Sequence, residues 1–317
     1  LKSYGIDTIV HRQKKVTRFA AIGAFDGLHI GHRQLIRAAG HHAKEMDGEL
    51  LVVTFWPPPQ LVMSPGRHPS LLQTRRQKER ELCRLGVDVL ITLPFEHSLA
   101  RMSPRQFARN VLVQALQLDW VYVGFNFKFG DGGKGDVQTL RELGAEMGFS
   151  VEVFPPVRSG GEPISSTRIR RLLRTGKVIP VRELLGRRYQ VEGEVIRGRG
   201  RGSEEIGYPT ANVVVNERLL LPAAGVYSGS AETDGEAYSA VINVGGSPTF
   251  GSCDSPPVEV HLIGFQGRLY GKSLQLHFQR RLRDLQKFEC PGELARQIEV
   301  DIRRATSHGP YEAADDG

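Results

Sequence analysis

Residues 21–34 read AIGAFDGLHIGHRQ, and the fold of the first half of the chain turns on how they are read. Val16–Ile22, which leads into them, is apolar and β-prone, while Gly23, Gly27 and Gly31 permit backbone conformations that a side chain forbids. Arg33–Met46 carries helical spacing in Leu35, Ile36, Ala38 and Ala39. A strand therefore ends in a tight turn and enters a helix, whose free N–H groups and positive dipole end favour an anion above the turn. His29 and His32 are three residues apart, so both rings fall on one side of a first helical turn. Two imidazoles beside an anion hole suit a reaction in which negative charge grows on a phosphate. The other reading is a strand–turn–helix corner carrying two surface histidines, and the stretch by itself leaves both open.

Working outward, β-like runs alternate with helical spacing. Strand patterns fall at Val16–Ile22, Leu50–Phe55, Val87–Thr92, Trp120–Val123 and Ser150–Phe154, with helical patterns at Arg33–Met46, Arg76–Leu85, Pro104–Leu116 and Asp136–Met147. That order predicts βαβ units in a doubly wound parallel sheet of the α/β class, with ligands beyond the carboxyl ends of the strands. Past Leu184-Leu185-Gly186 the character changes. Short β runs at Tyr189–Ile196, Ala211–Val215, Gly225–Ala231, Tyr238–Val244, Val258–Ile263 and Ser273–Phe278 are separated by Gly and Pro, and Pro291–Ala305 reads as a helix. This predicts a small antiparallel β-barrel with a C-terminal helix. The expected domains are 1–184, including a helical linker over Ile169–Leu185, and 185–317, ending in a frayed acidic tail.

The chain of 317 residues is long enough for two ordinary cores. It is 40% hydrophobic and 24% charged, with no apolar run of membrane-spanning length. The opening LKSYGIDTIVHRQKK lacks the apolar core of a secretion signal. Cys83, Cys253 and Cys290 are scattered, odd in number and never C-x-x-C, which argues against a disulfide framework or zinc site and fits the cytoplasm. The net charge of +7 admits nucleic acid or phosphorylated small molecules. Basic clusters such as Arg75-Arg76-Gln77-Lys78 and Arg168–Arg174 lack interleaved aromatic stacking platforms, so solvated faces and phosphate sites are the expected cause, with no nucleic-acid or membrane partner.

Two further stretches in the first half carry phosphate chemistry. GFNFKFGDGGKGD (124–136) follows a strand pattern; its glycines bring backbone close to a ligand, and Asn126 offers donor and acceptor. Alone it reads equally as a glycine-rich hairpin. ISSTRIR (164–170) offers hydroxyls and N-cap options in Ser165, Ser166 and Thr167, and fork geometry for phosphates in Arg168. Its plainer reading is a capped helix with basic surface residues.

In the second half, GRGRGSEEIGYPTAN (198–212) places Gly198, Gly200 and Gly202 in a loop able to wrap phosphates with backbone N–H groups, though it is no P-loop. Thr210 and Asn212 alternate onto one face of a strand, where a hydroxyl and an amide oxygen suit Mg²⁺. In VEVHL (258–262), Val258, Val260 and Leu262 face one way and Glu259 and His261 the other. A carboxylate on that polar face is either solvated or, beside ATP and Mg²⁺, a base for an attacking hydroxyl.

Together these motifs resemble the prokaryotic bifunctional riboflavin kinase/FMN adenylyltransferase family. The resemblance rests on G-x-F-D-G-x-H-x-G-H at Gly23–His32, G-x-N-F-x-F-G, I-S-S-T-x-I-R, LLGRRY at Leu184–Tyr189, G-x-P-T-A-N at Gly207–Asn212, GVY at Gly225–Tyr227, INVGGSPTF at Ile242–Phe250 and VEVHL. It implies a nucleotidyltransferase domain of the HIGH type followed by a kinase barrel. Riboflavin and ATP would give FMN, and FMN with a second ATP would give FAD and pyrophosphate. It further implies that His29 and His32 stabilise the α-phosphate of ATP while Gly23, Phe25 and Asp26 shape the turn. Asn126 would contact ligand, and Ser165, Ser166, Thr167 and Arg168 would hold ATP phosphates. In the barrel, Thr210 and Asn212 would bind Mg²⁺ and phosphates, and Glu259 would act as base on the riboflavin 5′-hydroxyl. Two departures stand out: Pro58 occupies the His of the family's F-x-P-H-P loop, and Gly132-Gly133-Lys134 differs from its usual basic loop. Oligomeric state is not legible in the sequence.

Overall fold

The computed structural model describes residues 1–5, 16–59, 62, 71–197, 207–245 and 258–307. The chain divides into two compact units, Leu1–Pro69 with Thr74–Ser165, and Ser70–Gln73 with Ser166–Gly317.

In the first unit the alternating apolar runs form one six-stranded sheet of β1 (Lys2–Gly5), β2 (Arg18–Ile22), β3 (Glu49–Trp56), β4 (Val89–Pro94), β5 (Trp120–Gly124) and β6 (Ser150–Phe154). The order is β1-β4-β3-β2-β5-β6 and every pairing is parallel. Strand β1 was not anticipated: four residues without strong β character pair along β4 at the sheet edge, in register Lys2↔Val89 to Gly5↔Thr92. Alternate side chains of each strand supply two cores. Ala20, Ile22, Leu51 and Val53 face Phe107, Leu112 and Leu140, whereas Phe19, Ala21, Leu50 and Val52 face Leu35, Ile36 and Leu82. Helices thus cover both faces: α1 (Ile30–Glu45) and α2 (Arg75–Arg84) on one, and a π-helix (Phe107–Ala115) with α3 (Val137–Met147) on the other. The helical spacing over 104–116 proves to be a short turn, Pro104–Gln106, capped by Ser103 and running into that π-helix.

From β2 the chain winds outward through β3 and β4, then returns to lay β5 on the other side of β2. Strand order reverses between β2 and β5, so their carboxyl ends flank the crevice where such sheets bind ligands. The AIGAFDGLHIGHRQ turn leaves one end and Gly124-Phe125-Asn126 leaves the other. A cleft of about 550 Å³ bordered by Lys2, Glu49, Cys83 and Asp88 lies at the opposite ends of the strands, away from these motifs. A small hairpin, β7 (Arg158–Ser159) and β8 (Glu162–Pro163), closes the unit.

The second unit is a closed antiparallel barrel in the order β10-β13-β12-β11-β14-β9, built from β9 (Tyr189–Ile196), β10 (Ala211–Val215), β11 (Gly225–Thr233), β12 (Glu236–Val244), β13 (Val258–Leu262) and β14 (Ser273–Arg283). Val191, Val213, Ile242, Val260, Leu276 and Phe278 are among its fully buried residues. Helices α4 (Ser166–Arg174) and α5 (Val178–Leu185) precede the barrel, with α5 packed on β9 and β14. The closing helix α6 (Pro291–Thr306) packs on β11 and β12, and its buried Asp301 grips Arg283 of β14 at 2.9 Å.

Candidate functional site

The opening turn carries its strain in side-chain-bearing residues. Phe25 and Leu28 adopt φ of 47° and 41°, with Gly27 between them at 84°. Such conformations persist only where surrounding structure enforces them. Here Phe25 and Leu28 are buried in the core, and Gly23 N–H donates to the Val53 carbonyl at 3.1 Å. The helix begins at Ile30, three residues before the sequence spacing suggests, because His29 serves as its N-cap: its Nδ1 accepts the His32 N–H at 3.3 Å. Acceptance at Nδ1 places the ring proton of neutral His29 on Nε2. The His29 and His32 rings stack with centroids 3.6 Å apart and 17° between planes, and Phe25 meets His32 edge-on. Burial, then the neighbouring His29 and Lys78, hold the His32 imidazole well below its ordinary value of 6.5. His32 Nδ1 is buried and has no hydrogen-bond partner among the described residues. Asp26 is buried in the same turn.

The sequence offers Lys78 only as a member of a basic cluster, whose expected causes are solvated faces and phosphate sites. Arg75 and Arg76 are indeed exposed, but Gln77 and Lys78 are buried. Gln77 completes a capping box with Thr74, and Lys78 Nζ reaches under the turn to donate to the Ala24 carbonyl at 2.8 Å and Thr54 Oγ1 at 3.3 Å. Positions 78, 81, 82 and 85 share one helical face. A lysine and a glutamate on the stripe that carries Leu82 were the available signal. Glu81, on that stripe, pairs with Arg33 of α1 at 3.1 Å.

Asn126 is exposed just after β5, on the far side of the crevice from the strand that leads into the histidine turn. In the glycine loop that follows, Gly130 has φ of 74° and a Cβ there would fall 2.8 Å from Pro104. Lys128 and Lys134 are paired, with Asp136 at 3.7 Å and Asp131 at 2.7 Å. Pro58, beyond the end of β3, is buried. Ser165 ends the first unit, while Ser166, Thr167 and Arg168 form the first turn of α4 in the second.

In the barrel, β13 alternates as expected, with Val258, Val260 and Leu262 buried and Glu259 and His261 half-buried. Register then sets three polar residues in one row across three strands: Asn212↔Glu259 between β10 and β13, and Asn243↔Glu259 between β12 and β13. Asn243 Nδ2 donates to Glu259 Oε2 at 3.4 Å. Burial raises the Glu259 carboxyl above its ordinary range, and the Asn243 bond partly opposes that shift. Thr210, two residues ahead of Asn212, is exposed. Asn243 was not singled out in the sequence, since nothing local to β12 places it beside a carboxylate fifteen residues downstream of its own strand's end. Gly198, Gly200 and Gly202 lie outside the described residues. Among the described residues no group of three His, Cys, Asp or Glu side chains is placed to hold a metal ion, and no helix is long and apolar enough to cross a membrane.

Comparison with known proteins assigns the two halves separately. Residues 11–168 match the FAD synthetase family model and residues 185–308 the riboflavin kinase model. A bifunctional riboflavin kinase/FMN adenylyltransferase of Bacillus subtilis is 34% identical, covering 93% of each chain. The Escherichia coli K12 protein of the same name is 33% identical over 88% of this chain and 89% of its own. A solved structure from Streptococcus pneumoniae, described as a macrolide-efflux protein, superposes with a TM-score of 0.86 at 28% identity, covering 96% of this chain and 99% of that one. What is shared with that neighbour is the course of the backbone.

Proposed function

The chain belongs to the bifunctional riboflavin kinase/FMN adenylyltransferase family, and from that premise we propose how its residues divide the work. The protein phosphorylates riboflavin with ATP to FMN and adenylylates FMN with a second ATP to FAD, releasing pyrophosphate. The observation that carries this is the tandem match of the two family models along one chain.

Adenylyl transfer is given to residues 1–184 and phosphorylation to residues 185–317. In the first reaction an FMN phosphate oxygen attacks the α-phosphorus of ATP. That nucleophile is already ionised near neutral pH, so the site must position it and relieve charge rather than remove a proton. The turn shaped by Gly23, Phe25 and Asp26 supports the role. His29 and His32 present N–H donors from a strained, buried frame, which costs little reorganisation when charge develops. Asn126 contacts ligand across the crevice, and Ser165, Ser166, Thr167 and Arg168 hold ATP phosphates, on the strength of their hydroxyls and guanidinium.

In the second reaction Glu259 takes the proton of the riboflavin 5′-hydroxyl as its oxygen attacks the γ-phosphorus. A carboxylate lifted above its ordinary range is better matched to that proton transfer. Gly198, Gly200 and Gly202 wrap the phosphates. Thr210 and Asn212 suit Mg²⁺: both offer oxygen donors, the atom type this hard cation prefers, leaving its remaining positions to phosphate and water, and Asn212 stands in register with Glu259. When bound, the ion neutralises phosphate charge. The exposed, unpaired cysteines Cys83 and Cys290 agree with a reducing cytoplasm as the setting.

The test is chromatography of flavins after incubation with riboflavin, ATP and Mg²⁺. FAD is the expected product. FMN alone would leave the kinase and remove the transferase, pointing to Pro58, and neither flavin nucleotide would overturn the reading.

A further inference from the structure

Lys78 is 6% exposed, and among the described residues its ammonium makes two hydrogen bonds, to the Ala24 carbonyl and Thr54 Oγ1. An ammonium carries three donors, and the buried Asp26 of the same turn is a carboxylate whose charge favours this one. Burying a cation is costly unless it is hydrogen-bonded and set near an opposite charge. This one sits beneath the turn that carries the histidine pair, and its charge acts on both Asp26 and His32. The carbonyl it grips belongs to Ala24, the residue between the end of the Gly23 anchor and the strained Phe25. Thr54 Oγ1 donates to the same carbonyl at 3.2 Å, so β3, α2 and the turn meet at one oxygen.

We propose that Lys78 is a positioning residue of adenylyl transfer: its buried ammonium fixes the Ala24–Leu28 turn from below, and with it the frame of the His29–His32 pair. The inference rests on the function proposed above. Holding the turn fixes the frame in which both rings stack. After burial and His29, the ammonium also adds to the causes that hold the His32 imidazole below its ordinary value, which preserves a neutral ring with one N–H to give to phosphate.

The groups facing Lys78 are few. Asp26 from the turn favours its charged form, and His32 from α1 is disfavoured in its own charged form by it. β3 contributes Thr54, which does not titrate. On its own helix Glu81 is engaged by Arg33 and Arg84 at 3.1 and 2.8 Å. Burial therefore dominates and pulls the ammonium down to about 8. The charge is present at neutral pH and is lost as pH rises through that value.

The experiment uses the full chain carrying Lys78→Met, Lys78→Arg or Thr54→Val. FAD formation from supplied FMN is followed against pH, FMN formation from riboflavin serves as the internal control, and His32 is titrated by NMR. Lys78→Met is expected to lower kcat for FAD formation by roughly 10- to 100-fold, the order that misplacing a reacting group costs. It should also raise the His32 titration midpoint, because a like charge is gone, while the kinase rate holds and Lys78→Arg restores the midpoint. Thr54→Val removes one acceptor of the ammonium and should move the alkaline fall in FAD formation to lower pH. An unmoved His32 midpoint with kcat within about twofold of the parent in Lys78→Met overturns the inference. Should that variant fail to fold, an unmoved alkaline limb in Thr54→Val overturns it. Parent protein that forms no FAD from FMN is a different result, and it overturns the transferase reading itself.

Discussion

The imidazole of His29 lies flat on that of His32, 3.6 Å away, while its Nδ1 caps the helix on which His32 rides. Cap and stack are one device: the bond that starts α1 also fixes the orientation of both rings. Removing either ring should damage one reaction and spare the other. His32→Ala is expected to cut FAD formation from FMN by about 100-fold, the usual yield of a positioned electrostatic donor, and to leave FMN formation unchanged. Separate assays of the two products check this, and an unchanged FAD yield would remove the histidines from the mechanism.

His32 also links stability to pH. Its folded value is held well below 6.5, so between that value and 6.5 the unfolded chain binds a proton that the folded chain does not. The stabilisation is therefore complete above 6.5 and is lost as pH falls through that window. Urea denaturation of the parent and of His32→Gln should show the parent losing stability more steeply on the acid side of 6.5.

Glu259 stands between Asn212 and Asn243 in the barrel row. Glu259→Gln is expected to reduce FMN formation by roughly 100-fold or more, the scale of general-base catalysis, with FAD formation from supplied FMN intact. Because burial raises its carboxyl, the kinase rate should fall on acidification at a pH above the ordinary carboxylate range.

Asn243→Leu removes the bond to Glu259 Oε2 that opposes the burial shift. The acid limb of FMN formation should then move to still higher pH. A limb that stays in place would show that Asn243 does not act through the carboxylate.

Asn212→Ala tests the Mg²⁺ assignment. The Mg²⁺ concentration for half-maximal FMN formation should rise about 10-fold or more, the scale for losing a supporting contact of a bound metal. FAD formation from supplied FMN should be unchanged over the same range of Mg²⁺ concentration.

Asp301, 1% exposed on α6, holds Arg283 of β14 by both oxygens. Asp301→Ala leaves that guanidinium without its partner and should cost about 3 kcal/mol, read as a lower urea midpoint.

Much of this was legible along the chain because strand and helix periods and turn chemistry are local properties. The parallel sheet, the barrel and the face alternation of Val258–Leu262 follow from spacing over a few residues, and the histidine turn announces itself in fourteen. Contacts between distant segments were not legible. The Lys2–Gly5 strand has no pattern of its own and exists because β4 offers an edge. Asn243 became a neighbour of Glu259 only through barrel register. Lys78 reads as one more basic residue until α2 packs against the face of β3, 24 residues away, that bears Thr54. Periodicity determines which face of an element is buried; which remote group that face meets is decided by packing, and in this protein that second choice positions the buried charge.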